Sequence, residues 1–115
     1  SKKAQYEITC IFDVVPKFTI TITQPENGII KVYQTKGGER IDLDISSTGT
    51  VEIEKDQAVY FELIANDGKK PKKLVVDGIE HTAVTSNIAK QTTGAIAVRI
   101  PNVSKSFSVT GECGD

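Results

Sequence analysis

The stretch that most constrains what this chain can fold into is Phe18 to Val32, FTITITQPENGIIKV. Phe18, Ile20 and Ile22 alternate with Thr19, Thr21 and Thr23, the two-residue period of a strand with one dry face and one wet face. Pro25-Glu26-Asn27-Gly28 then reverses the chain, because proline presets φ at the first corner position and Asn-Gly accepts the positive φ needed at the second. Ile30 and Val32 resume the alternation. The stretch predicts a β-hairpin and sets the reading of the rest as a β-rich, non-catalytic module.

The same period recurs along the chain. Tyr6, Ile8, Cys10, Phe12 and Val14 alternate up to Pro16, which ends that strand because it has no N–H for a ladder. Ile41, Leu43 and Ile45, then Val51 and Ile53, form two short alternating segments whose other face is charged, as suits strands near a sheet edge. From Gln57 to Ala65 only Glu62 is clearly polar, so this strand belongs in the middle of the packed body. Lys69 to Lys73 reads as a basic loop broken by Pro71, Leu74-Val75-Val76 as a short strand, and Asp77-Gly78 as the turn of a second hairpin. Ile96, Val98 and Ile100, and then Phe107 and Val109, complete the pattern. Only Thr85 to Gly94 has helical character, which allows at most one short helix near residues 86–91. About eight short strands predict a mainly β chain, an antiparallel sandwich or barrel-like meander.

At 115 residues the chain suits one domain that can bury a core without staples. Residues 1–16 read as a tether with an added strand, and residues 17–115 as the main β domain. The formal charge of −1, with both signs mixed, gives no field to draw in nucleic acid or an anionic membrane, so neither is an expected partner. Any membrane attachment would run through an anchor outside this chain. There is no methionine, so Ser1 is not an unprocessed translation start, and a processed protein or an excised fragment is expected. A removed signal sequence or lipid-anchor segment would fit.

The residues that carry chemistry are few. His81 is the only histidine, which leaves no two-histidine metal pair and no triad with a second histidine, and it reads as a surface residue near a hairpin. Asp42 and Asp44, and Glu52 and Glu54, sit two residues apart on wet strand faces, where they solubilise an edge. Lys69, Lys70, Lys72 and Lys73 are the sharpest charge feature and a candidate contact for a polyanion or an acidic partner; the alternative is a solvated turn, since no aromatic interleaves with them. Cys10 and Cys113 both fall on apolar phases. A disulfide between them would close a loop of about a hundred residues and contribute ~4 to 5 kcal/mol, while the other reading is two separate thiols, Cys10 in the core and Cys113 in a tail. No catalytic, cofactor-binding or metal-ligating residue is assigned, and no cofactor is expected.

The run Ile20-Thr21-Ile22-Thr23-Gln24-Pro25-Glu26-Asn27-Gly28 with Ile30 and Val32, then Gly49-Thr50-Val51, Val59-x-Phe61, Asn66-Asp67-Gly68, Leu74-Val75-Val76-Asp77-Gly78, Val98-x-Ile100-Pro101-Asn102-Val103 and Phe107-x-Val109-Thr110, resembles the divergent B-repeat domains of bacterial surface and secreted proteins, distant relatives of the internalin B-repeats. The match covers roughly residues 17 to 113. Lys69 stands where the family usually has an aromatic, and the span from Asp77-Gly78 to Ile96 is longer than in a compact repeat. The resemblance implies a module on the cell surface, secreted or periplasmic, acting as a spacer, an adhesion domain or a protein-interaction domain. It also implies that residues 6 to 12 could be the closing strand of a preceding repeat. The expected partner is a protein or glycan at the bacterial surface, and a monomer is expected. The alternative is a carbohydrate-binding accessory module, with Tyr6, Tyr33 or Tyr60 as the sugar platform.

Overall fold

The computed structural model describes residues 15–82, 92 and 94–115. Nine strands and no helix are found among them: β1 (Lys17–Ile22), β2 (Gly28–Lys36), β3 (Glu39–Asp42), β4 (Thr50–Glu54), β5 (Val59–Ala65), β6 (Lys70–Val76), β7 (Ile79–His81), β8 (Ile96–Ile100) and β9 (Phe107–Gly114). They form a two-sheet sandwich. One sheet has the order β4-β1-β9-β6-β7 and the other β3-β2-β5-β8. The predicted mainly β sandwich is the observed architecture. The expected short helix near residues 86–91 and the added strand before Pro16 lie outside the described residues.

Between the sheets lies a single dry layer. Ile20 and Ile22 of β1, Val51 and Ile53 of β4, Leu74 and Val76 of β6 and Val109 of β9 meet Ile30 and Val32 of β2, Val59, Phe61 and Leu63 of β5, and Ile96 and Val98 of β8. Each set occupies every second position of its strand, so the two-residue period alone puts it on the inner face. Val103, in the connection from β8 to β9, is fully buried and closes one end. Its backbone exchanges hydrogen bonds with the β4–β5 turn: Val103 N–H donates to the Gln57 carbonyl at 3.0 Å, and the Val103 carbonyl accepts from Asp56 N–H at 2.8 Å. Two glycines let the layers approach at the other end. A Cβ on Gly28 would lie 2.4 Å from Cys113 Sγ, and one on Gly111 3.0 Å from Leu63 Cδ1.

The hairpin expected from Phe18 to Val32 is not formed. β1 pairs with β4 and β9, whereas β2 pairs with β3 and β5, so the chain crosses from one sheet to the other at Thr23–Asn27. Ile20 and Ile22 therefore contribute to the core from one sheet and Ile30 and Val32 from the other. Alternation is the same in a hairpin and in such an arch, and this connection is too long for a two-residue hairpin turn. Asn27 does take the positive φ its position demanded, 65°. The Gln24 side chain then occupies the edge of β2 that a hairpin partner would have filled, accepting from Ile30 N–H at 2.8 Å and donating to its carbonyl at 3.0 Å.

Two connections are tight hairpins within a sheet. Gly37-Gly38 joins β2 to β3 with φ of 60° and 83°, and Asp77-Gly78 joins β6 to β7 with φ of 52° and 79°. Positive φ at both central positions is the type I′ requirement, which is why glycine and aspartate stand there. β3 and β4 are edge strands and β5 is interior, as their polarity predicted. Not every pairing is antiparallel: β1 and β9 run parallel, with Phe107 opposite Ile20 and Val109 opposite Ile22.

Candidate functional site

The basic run is a strand and not a loop. Lys70 to Val76 form β6, and the ladder with β9 slips between Glu112 and Cys113, so that Glu112 faces Lys73 while Cys113 faces Pro71. Lys72 is the extra residue of this bulge. A bulge inverts the alternation, so the half-buried Pro71 turns to the side of Cys113 and the lysines are left on the outside. Pro71 is tolerated because β7 pairs only with Leu74 to Val76, which leaves no ladder on that side for its missing N–H to disrupt. Much of the positive charge is met locally: Lys69 Nζ lies 2.7 Å from Asp115, and Lys73 Nζ lies 3.8 Å from Glu80 and 3.9 Å from Glu112. Lys70 and Lys72 are exposed.

Cys113 is not in a tail. It sits on the inner phase of β9 as a free, buried thiol, and burial pushes its pKa up, away from the reactive thiolate. Cys10, its candidate partner, lies outside the described residues, as does Tyr6. Tyr33 and Tyr60 are not sugar platforms, since 0% and 6% of their surface is exposed. Strand phase places both on the outer face of the four-stranded sheet, where their rings stack on each other with centroids 4.8 Å apart and planes 12° from parallel. His81 is half-buried on the edge strand β7. Glu52 and Glu54 are exposed on β4 and Asp44 is exposed beyond β3, as expected of solubilising charge.

The constellation that sequence reading missed is centred on Glu62, the one fully buried charged residue in the described structure. Its carboxylate accepts from Arg40 Nη2 at 2.5 Å, from Thr92 N–H at 2.8 Å and from Thr92 Oγ1 at 3.1 Å. Arg40 also donates from Nε to Asp42 at 2.6 Å, and its guanidinium lies over the Tyr33 ring at 4.1 Å. Burial disfavours the charged guanidinium, but the hydrogen bonds to Glu62 and Asp42 outweigh it and hold Arg40 above its usual value. Tyr33 is pushed up to about 12, first by burial and then by the Glu62 charge, with Arg40 partly offsetting both. The arrangement neutralises Glu62 and fixes a tyrosine pair. It is structural chemistry, ordering three strands and the connection before β8. The signal was present in sequence as a lone acid in an apolar strand, which requires a cationic partner if it is buried on either face.

Edge strands β3 and β4 flank a cleft of about 440 Å³ between the sheets. Ile41, Leu43 and Ile53 line it together with Lys17, Lys36, Glu52 and Glu54, a mixed-charge surface whose described lining has no histidine, cysteine or aromatic ring. No group of three or more acids, histidines or cysteines placed to hold a metal ion occurs among the described residues.

Comparison of the chain with protein-family models, with curated proteins and with solved structures finds no match in any of the three.

Proposed function

We propose that this chain is a non-catalytic module of the divergent B-repeat type that acts at the bacterial surface or in the periplasm as a spacer bearing a protein-interaction surface. The observation that carries the reading is the parallel pairing of β1 with β9. Because β1 and β9, the first and last of the described strands, run the same way, Lys17 lies toward one pole of the body and Gly114 toward the other. Lys17 lies three residues before Ile20 and Gly114 seven after Phe107, which faces Ile20, so the two are separated by about 30 Å along the strand direction. Units joined through such ends extend a string and do not fold back on one another. The location and the repeat class rest on the turn and strand motifs from Ile20 to Thr110.

Small-angle X-ray scattering on one, two and three copies joined in tandem tests this reading. The maximum dimension is expected to grow by at least about 30 Å with each added copy. A dimension that grows only as a compact cluster would overturn it.

A further inference from the structure

The placement of the two terminal strands has a mechanical consequence. When tension is applied through β1 and β9, Lys17 is drawn toward one pole and Gly114 toward the other, along the axis of the strands that carry them. β1 and β9 lie side by side, so the load falls on their shared ladder in shear, with its hydrogen bonds strained together and not one after another. Thr19 N–H donates to Ser106 Oγ and Thr23 N–H to the Val109 carbonyl, both at 3.0 Å. Strand alternation aims the amide of Thr21, midway between them, at β9 as well. On their outer sides the two strands are tied to others: β1 to β4 over Lys17 to Thr21, and β9 to β6 over Val109 to Gly114. Withdrawing either terminal strand therefore requires sliding it past neighbours on both flanks.

We infer that the β1–β9 ladder is a mechanical clamp, and that the module withstands tension applied along the chain. The inference shares the strand placement that supports the spacer reading but not its cellular setting. Scattering reads where the ends lie and force reads whether the ladder holds, so either can fail alone.

The test is single-molecule stretching of the full chain, inserted between marker domains of known shear and unzipping behaviour. The wild type is expected to open in one step at forces close to the shear marker. Thr21→Pro, which removes the amide facing β9 at an exposed position, is expected to lower that force several-fold. Val98→Ala, which thins the core on β8 away from the ladder, is expected to lower the melting temperature while leaving the force nearly unchanged. Ser106→Ala, a milder loss of the acceptor for Thr19, is the second ladder variant should the proline variant fold poorly, and it is expected to lower the force measurably. Wild-type opening near the unzipping marker would overturn the inference. So would a Val98→Ala chain that weakens as much as the ladder variants.

Discussion

Arg40→Ala is expected to destabilise the fold by about 3 to 5 kcal/mol, the range for a buried ion pair that loses one partner. The loss is large because Glu62 would stand at full burial without its cationic partner, with only the two Thr92 donors for company. The guanidinium over Tyr33 goes as well, which removes packing from the stacked tyrosine pair. Urea unfolding followed by tyrosine fluorescence measures it. A second variant separates the charge from the packing: Arg40→Met with Glu62→Leu, which replaces the pair by apolar groups of similar volume, is expected to recover most of the loss. A loss for Arg40→Ala below about 1 kcal/mol, the level of an exposed pair, would show that the contact contributes no more than a surface salt bridge.

Phe61→Ala is the other large effect, at about 3 to 5 kcal/mol. Phe61 is fully buried in the middle of β5, pairs with Val32 on one side and Val98 on the other, and meets the Phe107 ring edge-on at 5.9 Å. It therefore links the two sheets through an aromatic contact. Truncation leaves a cavity between layers that rigid strands cannot collapse to fill. Thermal unfolding of the variant reads the loss. Phe61→Leu keeps most of the volume and is expected to retain the greater part of the stability.

How much of this molecule was legible in advance depends on which physical signal each element carries. β5 was readable as an interior strand because its apolar run leaves no face for water, and β3 and β4 as edges because charge lines one side of each. The turn at Asp77-Gly78 announced itself through residues that accept positive φ. Sheet membership did not, since a period of two says which face is dry and is silent on which strand lies alongside. That is why Phe18 to Val32 reads as a hairpin and folds as an arch. The bulge at Lys72 was hidden for a related reason: five basic and proline residues look solvated, yet an inverted phase lets them continue a strand whose interior half is Leu74 and Val76.

The candidate sites show the same limit. Tyr33 and Tyr60 are aromatic and polar-tipped, so sequence cannot separate a sugar platform from a buried stack. The partner that decides it, Arg40, lies on a different strand from either ring. Glu62 and Arg40 are 22 residues apart and meet only because β2 stands between their strands in the sheet.

Parallel alignment of β1 with β9 is the feature on which the end-to-end placement and the clamp both depend, and NMR cross-strand contacts address it most directly. Backbone Overhauser effects are expected between Thr21 and the Phe107 to Val109 segment in the parallel pattern, together with antiparallel contacts between β1 and β4. A ladder joining Phe18–Thr23 directly to Ile29–Val32, with none reaching Phe107 to Val109, would contradict the account.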